Sequence, residues 1–230
     1  MREIVLDTET TGFEPSEGHR IVEIGAVELI NHMPTGRTYH QYINPQRDMP
    51  VEAFNVHGLS EEFLRPFPIF REVGQAFLDF VGDARLVIHN AAFDIKFLNF
   101  ELGKVGLTHL PWDRVTDTLM MARKKFPGSP ASLDALCRRF GVDNSAREKH
   151  GALLDSEILA EVYLELIGGR QPDLVLAPVG SVGGKGGEAG DWRPRPRPQP
   201  LPPRITEAEA ELHAAQVAKM GEAAIWNRYS

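Results

Sequence analysis

Cysteine is almost absent from this chain: Cys137 stands alone among 230 residues, so neither an internal disulfide nor a cysteine zinc cluster can form. A reducing cytosol is the natural compartment for such a composition. No stretch approaches 18 consecutive apolar residues, and nothing resembling a signal peptide precedes the first expected strand, so the expectation is a soluble cytoplasmic protein with no membrane contact. Basic charge is also scarce: 25 Lys and Arg stand against 32 Asp and Glu, a formal net charge of −7. Affinity for nucleic acid comes largely from Lys and Arg neutralising phosphates, so such a chain grips it weakly unless a local basic patch or a partner does the holding. With 42% hydrophobic residues there is material for one sizeable core, not obviously two, and one main domain with extras is expected.

What the chain does have is acid where apolar side chains belong. Ile4-Val5-Leu6 reads as a buried strand, and its two-residue alternation puts Val5, Asp7 and Glu9 on one face. Asp94 is followed at helical spacing by Phe97 and Leu98, and Asp155 by Ile158, Leu159 and Val162, so both acids share an inward face with apolar neighbours. Burying several carboxylates together is prohibitively costly unless a cation neutralises them, and hard oxygen ligands select Mg2+ or Mn2+ over zinc or copper. Taken singly, some of these residues have ordinary alternatives. Asp7 can be a strand-end acid capping a turn with Thr10, Thr11 and Gly12, Asp94 a first-turn acid favoured by the helix dipole, and His150 a loop histidine before Gly151. Asp155 lies too far into its helix for the dipole account.

Three motifs in order carry a family resemblance. Asp7-Thr8-Glu9-Thr10-Thr11-Gly12, His89-Asn90-Ala91-Ala92-Phe93-Asp94 and His150-Gly151-Ala152-Leu153-Leu154-Asp155 resemble the first, second and third motifs of the DEDDh 3'-5' exonucleases, with histidine rather than tyrosine five residues before the last acid. Within that family the chain is similar to the proofreading subunits of bacterial replicative polymerases. The agreement extends through Gly18 to Glu28, Glu52 to Gly58 and Ser132 to Cys137, covers residues 1 to about 168 almost continuously, and continues more weakly in the tail.

The resemblance implies phosphodiester hydrolysis with two divalent metal ions, Mg2+ or Mn2+, roughly 3.5 to 4 Å apart and clamping the entering and leaving oxygens. It implies that Asp7 bridges the ions, that Glu9 and Asp155 complete the ligands, and that Asp94 holds the second metal directly or through water. His150 is then the general base and Gly151 gives its loop mobility. By the same resemblance Glu52 and His57 meet the terminal nucleotide, with Thr8 and Thr10 lining the pocket beneath. Read from the residues alone, Glu52 is a solvated loop acid and His57 a turn residue before Gly58. Two other roles stand beside proofreading: a free-standing DEDDh nuclease on RNA or single-stranded DNA, and a non-catalytic structural subunit that keeps the fold only.

Hydrophobic periodicity predicts strands near 3 to 8, 21 to 30, 36 to 43, 86 to 89 and 114 to 116. It predicts helices near 69 to 81, 92 to 104, 117 to 125, 131 to 140 and 152 to 167, with Gly128 and Pro130 breaking the helical run. Hairpin-like strands followed by alternating strands and helices fit an α/β fold, the ribonuclease-H-like mixed five-stranded sheet flanked by helices that the resemblance also implies. The expected organisation is an exonuclease domain over 1–168, a flexible Gly/Pro-rich linker over 169–204 and a polymerase-docking tail over 205–230. The linker is glycine-rich, then carries the Arg-Pro repeat 193–198, so its first part reads as flexible and its second as extended. Thr206-Glu207-Ala208-Glu209 is a capping-box pattern opening a short terminal helix near 207 to 220, with Trp226 beyond it; alone in water such a helix is marginal, so a partner is expected to fold it. That partner is expected to be the polymerase catalytic (alpha) subunit. Gln171-Pro172-Asp173-Leu174-Val175-Leu176 resembles a weak sliding-clamp (beta) binding hexapeptide, with packing of Leu174 and Leu176 onto the main domain as the alternative.

Overall fold

Alternation within the first strand sets the layering. Strand β1 (Arg2–Thr10) sends Ile4 and Leu6 into one apolar cluster and Val5 into another, because it is the central strand and both its faces are covered. In this computed structural model the described residues are 1–145, 147, 149–169, 205–221 and 225. The hexapeptide Gln171 to Leu176, the Arg-Pro repeat and Trp226 lie outside them.

The sheet is five-stranded and mixed, in the order β3-β2-β1-β4-β5. Strands β2 (Ile21–Ile30) and β3 (Met33–Tyr42) continue antiparallel from β1, whereas β4 (Arg85–Ile88) and β5 (Val115–Asp117) run parallel to it. A parallel connection needs a crossover. Helices α1 (Val51–His57), α2 (Glu61–Leu64) and α3 (Phe70–Val81) lie in the segment before β4, and α4 (Ala91–Lys104) in the one before β5. Helices α5 (Thr118–Lys125), α6 (Leu133–Phe140) and α7 (Ala152–Leu166) follow. Phe70 and Phe77 of α3 and Phe97 and Leu98 of α4 pack with Ile4 and Leu6; Leu136 of α6 and Leu159 and Val162 of α7 pack with Val5. This is the mixed sheet flanked by helices expected of the ribonuclease-H-like fold.

Several element boundaries differ from expectation, each for a local reason. Helices α1 and α2 were not anticipated, since Val51, Phe54, Val56 and Phe63 stay exposed and leave no inward apolar stripe for periodicity to detect. His57 is accordingly not a turn residue but the buried last residue of α1, with Gly58 at φ 76° closing the helix. Strand β3 begins at Met33 rather than 36 because Asn31 and His32, both at positive φ, make a two-residue hairpin turn that pairs Ile30 with Met33. Asp117 caps α5 instead of joining it, accepting from Leu119 N at 2.9 Å, and Ser132 caps α6.

Helix α7 is seated on β2 by unusually close packing. A Cβ on Gly25 would lie 2.1 Å from the Ala152 carbonyl carbon, so only glycine admits the helix start at this point. Ser156 Oγ donates to the Gly25 carbonyl at 2.9 Å, and the Ala152 amide donates to Glu23 Oε2 at 3.2 Å. Separately, α8 (Glu207–Met220) forms as the capping box requires, with Thr206 N donating to Glu209 Oε2 at 2.8 Å and Glu209 N to Thr206 Oγ1 at 3.3 Å; none of its residues is buried. Among the described residues no helix is long and apolar enough to cross a membrane.

Candidate active site

Three elements and one loop bring four acids and a histidine to one place. The second half of β1 supplies Asp7 and Glu9, the first turns of α4 and α7 supply Asp94 and Asp155, and the loop entering α7 supplies His150. Asp155, expected further into its helix, thus stands in a first turn as Asp94 does, because α7 begins only at Ala152. All five line a cavity of about 750 Å3 at the carboxyl edge of the parallel strands, the edge where open α/β sheets place their ligands. The register of β1 against β2 shifts between Glu9 and Thr10, so the strand is irregular where it enters the cavity.

The carboxylates differ in how the protein receives them. Thr8, on the opposite face of β1 from Asp7, donates its hydroxyl to Asp94 Oδ1 at 2.7 Å. Among the described residues no donor hydrogen-bonds the side chain of Asp7 or Glu9. Burial above all, then the charges of Asp94, Glu9 and Asp155, pushes the Asp7 carboxyl well above its ordinary range. Burial, then Asp155 and Glu23, pushes Glu9 up to about 8, and burial pushes Asp94 up to about 7. Asp155 is the exception: burial acts upward, but the neighbouring His150 and Arg147, the latter donating to both oxygens, outweigh it and hold the carboxyl below its ordinary value. A donor set of mutually repelling, under-bonded carboxylates fits a divalent cation. Glu9, His150 and Asp155 offer ligand atoms that all lie within 4.8 Å of one another, while Asp7 and Asp94 line the same cavity outside that tight group.

His150 is half exposed, and its amide donates to the Val56 carbonyl at 3.2 Å. Its Nδ1 lies 3.2 Å from Asp155 Oδ2 and 2.7 Å from Arg147 Nη2. Gly151 has φ −154° and open space where a Cβ would stand, so neither conformation nor crowding requires glycine there.

A second, more apolar cavity of about 420 Å3 adjoins through Thr8, Glu9 and Phe93 and continues to Thr10, Val56, Glu52 and His57. Glu52 is exposed, as the residues alone suggest, but stands on α1 and not in a loop. Burial pushes His57 down to about 4, against the upward pull of the Thr10 backbone, so its ring is neutral at physiological pH; Nδ1 accepts from the Leu59 amide at 3.0 Å, and the buried Nε2 faces the Thr10 backbone without a well-formed hydrogen bond.

Two residues of this neighbourhood escaped sequence reasoning. Glu23, opposite Glu9 in the β1–β2 register, anchors the start of α7 and binds His40 Nε2 at 2.7 Å. An acid inside the largely apolar run Ile21 to Ile30, which also holds Glu28, was the available signal. Arg147 puts its guanidinium on Asp155, with Nε 2.5 Å from Oδ1 and Nη2 2.7 Å from Oδ2. It belongs to no helix or strand, so no periodicity marks it.

Comparison with known proteins gives the family. The family model described as Exonuclease matches residues 4–163. The chain is 59% identical over 174 residues to the DNA polymerase III subunit epsilon of Rickettsia conorii, covering 74% of this chain and 76% of that protein. It is 46% identical over 237 residues to the protein of the same name from Escherichia coli strain K12, covering 98% and 97%. Among solved structures, the nuclease domain of 3'hExo, a DEDDh family member, bound to rAMP, aligns with a TM-score of 0.61 at 21% identity over 72% of this chain and 91% of that one. Exonuclease X in complex with 5' overhanging duplex DNA aligns with a TM-score of 0.55 at 22% identity over 72% and 90%.

Proposed function

The chain belongs to the exonuclease family, and from that premise we propose that it is the 3'-5' exonuclease proofreading subunit of the DNA polymerase III holoenzyme, removing mismatched 3'-terminal nucleotides. The observation that carries the reading is the meeting of Asp7, Glu9, Asp94, Asp155 and His150 in one cavity of a chain resembling epsilon subunits along nearly its whole length. A free-standing nuclease is disfavoured by that whole-length likeness, and a purely structural subunit by the retention of all five residues.

Asp7, Glu9 and Asp155 would hold two divalent ions, Mg2+ or Mn2+, with Asp94 contributing directly or through water. When bound, such ions supply charge neutralisation on the attacked phosphate and a nucleophile at neutral pH. Thr8 orients Asp94 through its 2.7 Å hydrogen bond. His150 takes the proton of the attacking water, for which its half-exposed place at the cavity suits it. The adjoining apolar cavity receives the terminal nucleotide, with buried, neutral His57 and exposed Glu52 both on its wall.

The organisation we propose is a catalytic domain over 1–168, a linker over 169–204 and a docking tail over 205–230, in a cytoplasmic replication complex. A capped helix with no buried residue is marginal by itself, which favours folding of α8 on the polymerase alpha subunit. The hexapeptide Gln171 to Leu176 would add a weak contact with the sliding clamp, made effective by tethering. The test is Mg2+-dependent digestion of a 3'-mismatched DNA primer by the full chain, alone and with the alpha subunit. Faster removal of mismatched than paired ends, abolished by EDTA, is expected; a chain ending before residue 205 should still digest but no longer co-purify with alpha. Indifference to the 3' mismatch, or preference for RNA, would overturn the assignment.

A further inference from the structure

Arg147 sits where a cation at Asp155 has to compete with it. Its side chain is 9% exposed, and its guanidinium makes four contacts: two on Asp155, one from Nη1 to Asp134 Oδ1 at 2.6 Å, and one from Nη2 to His150 Nδ1 at 2.7 Å. Both carboxylate oxygens of Asp155 are thereby engaged in a bidentate pair, the strongest arrangement a carboxylate has with a side chain. A guanidinium only donates, so a ring nitrogen facing it at 2.7 Å makes a hydrogen bond only as the acceptor, in the tautomer that carries its single proton on Nε2. A ring in that tautomer has no lone pair free at Nε2 to take a proton from water. The two residues assigned to metal holding and proton transfer at this end of the cavity are thus held by one side chain.

The outer partner is different in kind. Asp134, on α6, is 46% exposed and is itself steadied by Asn144 Nδ2 at 3.1 Å. It can retain a guanidinium that has left Asp155 without giving up much hydration.

We propose that Arg147 is a built-in competitor for the divalent cation, a positioning residue that keeps Asp155 and His150 in a resting arrangement and must release both before the site loads, with Asp134 as its outer anchor. This rests on the exonuclease reading of the site. Two like-charged groups cannot share one carboxylate in a low-dielectric cavity without strong repulsion, so loading and the Arg147–Asp155 pair exclude one another. The arrangement makes the nuclease slow to arm and ties arming to metal concentration.

The experiment is equilibrium titration of Mn2+, without DNA, into the full-length wild type, Arg147→Ala, Asp134→Asn and Asp155→Asn, followed by free-Mn2+ spectroscopy and paired with melting in EDTA and in Mn2+. Arg147→Ala is expected to bind Mn2+ about tenfold more tightly, equivalent to ~1.4 kcal/mol, while melting lower in EDTA and gaining more from Mn2+ than wild type does. Asp134→Asn, which keeps Arg147 but loosens its anchor, should move affinity in the same direction by a smaller factor. Nitrogen chemical shifts of the His150 ring should show an Nε2 proton in metal-free wild type and lose that preference in Arg147→Ala. Unchanged or weaker Mn2+ binding in both Arg147→Ala and Asp134→Asn would overturn the proposal. Wild-type binding by Asp155→Asn would instead overturn the metal assignment on which it stands.

Discussion

Strand β1 carries buried acid at both ends, and the two ends receive it differently. Near the start, Glu3 is 0% exposed, yet Tyr163 donates its hydroxyl to Oε1 at 2.7 Å and His32 Nδ1 lies 2.7 Å from Oε2, at ion-pair distance though not aligned for a hydrogen bond. Close by on β2, Glu28, opposite Ile4, takes Arg2 at 2.6 Å, Thr35 at 2.9 Å and Arg37 at 3.2 Å, and the Arg2 hydrogen bond foremost holds it below its ordinary pKa. At the other end Asp7 and Glu9 meet further carboxylates instead of donors, and their pKa values rise. Burial of an acid is therefore no mark of a site. What separates the ends is whether the protein supplies the compensating groups itself or leaves them to a ligand.

The contrast breaks most sharply at Asp7 and Asp155. Replacing either by alanine should reduce primer digestion to background while the domain stays folded, because a repelling carboxylate is lost together with a metal ligand. The Asp7→Ala variant should melt higher than wild type in EDTA; retained turnover in Mg2+ would end the two-metal assignment. His150→Ala should cost about 100-fold to 10,000-fold in rate at pH 8, the usual range for a lost general base, with Mn2+ binding kept by the carboxylates. An unchanged rate at that pH would refute the role.

The pH dependence of metal-free stability sharpens the same comparison. Unfolded carboxyls titrate near ~4, whereas folded Glu9 titrates at about 8 and folded Asp94 at about 7. Below the unfolded values both states are protonated and the burial is tolerated; as pH rises toward 7 and 8 the unfolded chain holds fewer protons than the folded one, so stability falls. Melting in EDTA should therefore drop between about pH 5 and pH 8, and Mn2+ should remove most of the drop. The smallest expected effect lies at the opposite end: Tyr163→Phe leaves Glu3 short of a donor and should cost about 1–3 kcal/mol in chemical denaturation, with digestion rate per folded molecule unchanged. A large loss of activity there would show that the two ends are coupled.

How much of this was legible depended on whether a residue sat in a periodic element. Asp7, Glu9, Asp94 and Asp155 are visible because strand alternation or helical spacing places each beside apolar residues that must be inside, and the fold buries Val5, Phe97, Leu98, Leu159 and Val162 as that spacing requires. His150 became visible only through motif order. Helix α1 was hidden by its exposed apolar residues, and with it the burial of His57. Arg147 was hidden for a different reason: its contacts reach Asp134 on α6 and Asp155 on α7, thirteen and eight residues away, a pairing that only the assembled α6–α7 corner creates. The seat of α7 had a trace in Gly25, a glycine inside a strand, but the trace does not say which element comes close.

The close seating of α7 on Gly25 also bears on when the nuclease can exist. Asp155 emerges from the ribosome nearly 150 residues after Asp7, and it reaches Asp7 only when Ala152 has settled onto β2 with Glu23 and Ser156 fastening it. Until that docking is complete, a nascent or partly unfolded chain holds its acids apart and has no assembled catalytic group to turn on the nucleic acid around it. The order of the polypeptide thus acts as a safety catch during biosynthesis, released by the last helix of the core.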